Sequence, residues 1–121
     1  MRIAVKGRNT PVTPTLREHV DKRFRTVAKQ VAEQAELEVE LIEERNPAIA
    51  DSQVAEATLH LKGVTLRAHA ASPDMQHSIA ACSEQLSRQV KRHREQRRKR
   101  RETRAARAAA DGGAAPVELP L

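Results

Sequence analysis

The side chains best placed to do chemistry are cations. Arg88, Lys91, Arg92, Arg94, Arg97, Arg98, Lys99, Arg100, Arg101, Arg104 and Arg107 crowd a stretch of 20 residues in which Glu95 and Glu102 are the only acids. That stretch carries a net +9, whereas residues 1–87, with 11 basic and 12 acidic side chains, carry −1 and residues 108–121 carry −2. A near-neutral body with one concentrated basic segment points to a polyanion as partner. Arginine outnumbers lysine, and its planar fork bonds phosphate oxygens in pairs and stacks on bases. If helical, the run is too dense to occupy one face and forms a cylinder positive on most sides. Such a cylinder repels itself in free solution and gains from phosphates around it. A solvated basic tail that serves solubility is the plainer reading, but so much charge exceeds what solubility needs.

The body is polarised too. Residues 2–29 hold Arg2, Lys6, Arg8, Arg17, Lys22, Arg23, Arg25 and Lys29 against Glu18 and Asp21. Residues 33–56 hold Glu33, Glu36, Glu38, Glu40, Glu43, Glu44, Asp51 and Glu56 against Arg45. Phe24 is the only aromatic residue of the chain. Readers of single strands stack bases on Phe, Tyr or Trp, so a stacking platform is all but excluded. Recognition of backbone and shape remains, and it suits folded RNA.

Other chemistries find little support. His19, His60, His69, His77 and His93 show no HExxH or paired Cys/His spacing. Cys82 is the only cysteine; it can form no internal disulfide and reads as a core thiol rather than a nucleophile. The row Glu36, Glu38, Glu40 reads as a solvated strand face rather than a catalytic carboxylate set, and it would repel RNA. No nucleophile, base and oxyanion hole assemble. We therefore expect no catalytic residue, no metal and no cofactor, and no small-molecule substrate. The N-terminus MRIAVKG lacks the apolar core of a signal peptide, and no stretch approaches the roughly 20 apolar residues that span a bilayer. The expectation is a soluble, cytoplasmic protein.

The elements that must position these cations can be read from periodicity. Residues 2–8 alternate as a strand. Thr13-Pro14 opens a helix, with Thr as cap and Pro at its first position; Leu16, Val20, Phe24, Val27 and Val31 form its apolar stripe to about residue 33. Lys22, Arg25 and Lys29 stack on another side at i, i+3 and i+7. Strands follow at 36–45, 53–62 and 64–71, turning at Asn46-Pro47 and at Lys62-Gly63. Leu37, Val39 and Leu41, then Ala55, Ala57, Leu59 and Leu61, then Val64, Leu66, Ala68 and Ala70 point inward; Glu36, Glu38, Glu40 and Ile42 point outward. Ser72-Pro73-Asp74 opens the second helix, with an acid in its first turn. Its stripe of Met75, Ile79, Cys82, Leu86 and Val90 stops at Val90, while helix-favouring residues continue to about 110. Asp111-Gly112-Gly113 should end the helix, leaving 111–121 as a flexible tail or the start of a linker. One apolar face per strand and two amphipathic helices imply an α+β, two-layer β-α-β-β-β-α sandwich. Both helices lie on one face of a four-stranded sheet, and the first strand is parallel to the second through a right-handed crossover. The expected organisation is an α/β domain at 1–95, an arginine-rich helical extension at 96–110 and the tail at 111–121.

Two motifs resemble one known family. The opening GRNTPVTPTLREHVDKRF resembles the start of the ribosome hibernation-promoting factors, also called ribosome-associated inhibitors, with a G-R-N loop and then T-P-x-L-R opening the first helix. SPDMQHSIAACSEQLSRQVKRHR resembles their second helix, and the likeness spans about residues 2–95. It implies a fold similar in layout to double-stranded-RNA-binding domains and binding between the head and body of the small ribosomal subunit. There the domain would block the path of messenger RNA and the tRNA sites, silencing and preserving idle ribosomes. By position it implies that Lys22, Arg25, Lys29, Arg88, Lys91, Arg92 and Arg94 hold ribosomal RNA. The charge pattern adds Lys6, Arg8, Arg23, Arg97, Arg98 and Arg101 to the candidate RNA-binding set. Ribosomal proteins are further candidate partners, and no membrane is expected. His77 stands where many members carry Tyr, and the run after residue 96 is denser in arginine than the family pattern requires. Long members pair ribosomes through a second domain after a linker; this chain stops where that linker would begin, so pairing is not expected of it. Without the resemblance, the same basic surface suits a general structured-RNA or nucleic-acid module, such as an RNA chaperone.

Overall fold

The computed structural model describes residues 1–118, with side chains described through residue 110. The order is β1 (Arg2–Arg8), α1 (Pro14–Arg23), α2 (Arg25–Ala28), β2 (Glu36–Glu43), β3 (Gln53–Leu61), β4 (Val64–Ser72) and α3 (Met75–Glu118). Residues Met1–Val90 form one compact unit, and a second begins at Lys91.

The sheet has the order β1-β2-β3-β4. β1 runs parallel to β2, and β2, β3 and β4 form an antiparallel meander. Because side chains alternate across a strand, register sorts them into rows. The inner rows are Ile3-Leu37-Leu59-Leu66, Val5-Val39-Ala57-Ala68 and Gly7-Leu41-Ala55-Ala70. Val20, Phe24 and Val27 from the first helical segment and Met75, Ile79, Cys82, Leu86 and Val90 from α3 join those rows in one core. Both helical segments therefore lie on one face of the sheet. Phe24, Leu41, Leu59, Ile79 and Leu86 are fully buried. Two hydrogen bonds tie the helices together: His19 Nε2 with the Gln76 carbonyl at 3.1 Å, and Gln30 Nε2 donating to Ser87 Oγ at 3.0 Å. Both partners advance along the chain together, so the two helical segments run side by side in the same direction.

The sheet's ends and edges have specific devices. Gly7 sits in an inner row where a Cβ would meet the Thr10 carbonyl oxygen at 2.2 Å, because the chain folds back over it through Asn9, at φ 60. Gly63, at φ 79, supplies the left-handed residue of the Lys62-Gly63 turn. On the outer edge of β4, Gln85 Oε1 accepts from the His69 N–H at 3.3 Å and Gln89 Nε2 donates to the Arg67 carbonyl at 2.6 Å. Two glutamines one turn apart on α3 thus satisfy edge groups that would otherwise invite another strand.

Several boundaries differ from the sequence expectation. The first helix is interrupted at Phe24 and its second part ends at Ala28, not near residue 33. The Gln30 side chain donates to the Thr26 carbonyl at 3.1 Å, and the Gln30 N–H turns to the Val27 carbonyl at 3.0 Å. The carbonyl that would continue the α ladder is thereby taken, and the last turn tightens. Asp74 caps α3 rather than lying in its first turn: its Oδ2 accepts from the His77 N–H at 3.3 Å. The buried hydroxyls of Ser72 and Ser78, 2.6 Å apart, join β4 to α3, and Ser78 Oγ also donates to the Gln53 carbonyl at 2.6 Å. Ile42 points outward as expected, yet it is buried beside Val54, its cross-strand partner. The helix passes Asp111-Gly112-Gly113 and continues to Glu118; glycine weakens a helix by about 1 kcal/mol each but does not forbid it, and alanines stand on either side of the Asp111-Gly112-Gly113 run. Residues 119–121 of the expected tail lie outside the described residues.

Phe24→Ala should cost about 3–5 kcal/mol, because it removes the largest buried side chain and leaves a cavity; urea unfolding followed by far-ultraviolet circular dichroism measures this. Burial pushes the Cys82 thiol up to about 12 from the usual 9.0. Below pH 9 the thiol is neutral whether the chain is folded or not. Between about 9 and 12 only the unfolded chain ionises, so stability should fall by about 1.4 kcal/mol per pH unit at most. Cys82→Ala should flatten that decline in the same unfolding measurement.

Candidate nucleic-acid interface

With the apolar stripes committed to the core, the remaining faces of the helices are left for charge. In the unit Met1–Val90, α1 carries Lys22 and Arg23, α2 carries Arg25, Lys29 follows it, and α3 carries Arg88. All five are exposed. Burial of Val20, Phe24 and Val27 turns Lys22, Arg25 and Lys29 outward together. The Gln30–Ser87 hydrogen bond sets Lys29 and Arg88, each the neighbour of a bonded residue, on adjoining segments. Among the described residues none of these cations has a carboxylate at ion-pair distance; the ion pairs found are Arg8–Glu40, His60–Glu38 and Arg98–Glu102. Unpaired cations on adjoining helical segments are free to meet phosphate. A shallow depression between α1 and the start of α3 is lined by Lys22 and Arg25, with Glu18, His19, Asp21 and Gln76. Its two acids moderate the charge at that end.

The structure does not bring Lys6 and Arg8 to this group. Both project from the sheet face opposite the helices, in the rows Lys6-Glu40-Glu56-His69 and Arg8-Ile42-Val54-Ala71. Arg8 Nε is 2.7 Å from Glu40 Oε1. The same face carries Glu36, Glu38, His60 and Arg67, so it is mixed and partly self-neutralised. Sequence alternation alone assigned the glutamates to that face; the pairing of Arg8 with Glu40 depends on the register of two strands 32 residues apart in the chain.

In the second unit, Lys91, Arg92, Arg94, Arg97, Arg98 and Arg101 all lie on α3 and are exposed. Arg98 alone among them has a carboxylate nearby, Glu102 at 3.9 Å, and that pair is largely exposed. Sequence reasoning gave no weight to Gln30, Gln85 and Gln89, which fasten the helices and the sheet edge. Their signal, a polar residue at a half-buried helical position, is too common to single out in a sequence.

An α+β domain with one solvated mixed-charge sheet face and cationic helices covering the other defines the class. Residues 3–98 match the family described as Sigma 54 modulation protein / S30EA ribosomal protein, and the chain belongs to that family. Among its curated relatives are the ribosome hibernation promoting factors of Salmonella typhimurium, 30% identical over 79% of this chain and 96% of that one, and of Acinetobacter guillouiae, 28% identical over 78% and 88%. The fold is also that of the N-terminal domain of Thermus thermophilus Protein Y, with TM-score 0.65 and 26% identity over 77% of this chain and 99% of that one. No helix among the described residues is long and apolar enough to cross a membrane.

The separation of cations yields a direct comparison. Lys22→Ala/Arg25→Ala/Lys29→Ala should weaken binding to a structured RNA about tenfold or more at moderate salt, since each lost phosphate contact lowers affinity and salt dependence together. Lys6→Ala/Arg8→Ala should change it less than about threefold. Filter binding of labelled RNA measures both.

Proposed function

We propose that this chain is a ribosome hibernation factor that binds the small ribosomal subunit through ribosomal RNA and sterically blocks the mRNA and tRNA decoding channel. The observation that carries this reading is the set of exposed, unpaired cations on adjoining helical segments, Lys22, Arg25, Lys29 and Arg88, in a fold of the hibernation-factor family. Phosphates are the natural partners of such a surface, and arginine adds paired hydrogen bonds. The one aromatic ring, Phe24, is wholly buried. Bases therefore meet no exposed Phe, Tyr or Trp to stack on, and recognition proceeds chiefly through backbone and shape. The glutamates of the open sheet face repel phosphate, so the domain enters an RNA cleft with its helices inward. A body wedged there excludes messenger RNA and tRNA by occupancy alone, and no reaction is required of it.

The test is co-sedimentation with purified small ribosomal subunits across a salt series, with equal masses of plain double-stranded RNA and DNA as competitors. Stoichiometric binding that survives competitor is expected, together with loss of tRNA and messenger binding by the occupied subunit. Arg88→Ala/Lys91→Ala/Arg92→Ala/Arg94→Ala should end stoichiometric binding and lower the slope of log affinity against log salt of what remains by about three to four. Binding that competitor erases equally well would instead mark a general nucleic-acid module.

A further inference from the structure

The cations of the second unit lie on all sides of their helix, but its acids lie on one side only. At about 100° per residue, Arg94, Arg97, Arg100, Arg101, Arg104 and Arg107 fall within an arc of about 140° that contains no acid. Glu95 and Glu102 fall on the opposite side, among Lys91, Arg92, Arg98 and Lys99. Every cation of the arc is an arginine, and both lysines lie outside it. None of the six has a carboxylate at ion-pair distance among the described residues, whereas Arg98, outside the arc, has Glu102.

The arc also has a phase. Ile79, Cys82, Leu86 and Val90 are the buried stripe of α3, at steps of 3, 4 and 4 residues. Continuing that rhythm reaches His93, then Arg97, Arg101 and Arg104. In the sequence, the positions that are apolar up to Val90 carry His93 and then arginine. A helix meant to go on packing against protein would carry leucine or valine there. One meant only for solubility would scatter its charge and intersperse acids. From Arg94 to Arg107 the helix rises about 20 Å, long enough for the six arginines to meet several phosphates in succession.

We infer that Arg94, Arg97, Arg100, Arg101, Arg104 and Arg107 form a directional docking face for the phosphate backbone of structured RNA, extending the RNA contact past residue 98, where the family match ends. The inference rests on RNA being the partner and adds where on the extension it is held. Phosphate contact relieves the repulsion among arginines three and four residues apart on this face. Without RNA, that repulsion works against the helix.

The full chain serves for the test, in salt-series binding to small subunits and to a labelled RNA duplex, with an equal DNA duplex alongside. Arg97→Gln/Arg101→Gln/Arg104→Gln removes three charges from the face; glutamine keeps helix propensity. A second variant adds Thr103→Arg/Ala106→Arg/Ala110→Arg to those three, restoring the net charge on the opposite side. The first variant should lose about tenfold or more in affinity for both RNAs, and about two to three in salt slope. The transposed variant should stay about as weak. Recovery by the transposed variant, or no loss in the first, would overturn a directional face and leave a charge cloud. Equal effects on DNA would overturn RNA as its specific partner. If the wild-type chain fails on subunits but the duplex arm shows the directional loss, the decoding-channel reading fails and the docking face stands.

Discussion

One-sided burial is the constraint on which the rest of the structure depends. The sheet has one apolar face, and the chain has a single aromatic side chain with which to fill the space above it. Its inner rows thin to Ala57-Ala68 and Ala55-Ala70 toward β4. Volume must therefore come from the helices, and Phe24, Ile79, Leu86 and Val90 supply it. Interiors are close-packed and tolerate few voids, so these side chains fix how each helix is rotated about its axis. Once that rotation is set, every other face of each helix is set with it.

Charge segregation follows from this rotation. Lys22, Arg25 and Lys29 share a side because Val20, Phe24 and Val27 share another. The glutamates of β2 line the open face because Leu37, Val39 and Leu41 line the closed one. No separate device is needed to make one surface basic and the other mixed. A binary pattern of apolar and polar positions, read at period 3.6 in the helices and period 2 in the strands, carries both the fold and its electrostatics. The β4 edge shows the same economy: Gln85 and Gln89 lie beside the core stripe on α3 and spend their amides on exposed strand groups.

That is why so much was legible in the sequence. The four strands, the meander and the inward residues follow from alternation and turn chemistry, which are local, and the parallel β1–β2 pair from the general handedness of a crossover through a helix. What was not legible depends on partners distant in the chain. The early end of the first helix follows from Gln30 reaching both Thr26 and Ser87. The placement of Arg8 follows from Glu40, and the burial of Ile42 accompanies its pairing with Val54. Charge alone groups Lys6 and Arg8 with the helix cations, but strand register puts them on the other face. Charge composition shows that a surface exists; only topology shows which residues share it.

The end of the apolar stripe at Val90 raises a last physical question, namely what keeps α3 helical beyond it. Tertiary packing of an apolar face is the main source of helix stability in proteins, and none of residues 91–110 of α3 is buried. Alanine, glutamine, arginine and lysine give the segment good intrinsic propensity, and Arg98–Glu102 adds one weak, solvated i,i+4 pair. Against these stand arginines repeated at three and four residues, whose repulsion is a direct charge upon the helix and eases only when counter-charge arrives. Salt ions supply it diffusely. A phosphate backbone supplies it in fixed order, with the entropy of released ions as a further gain. The same arginines that oppose the isolated helix would therefore favour one bound to phosphate, and electrostatics rather than a core would tie the order of this segment to such a partner.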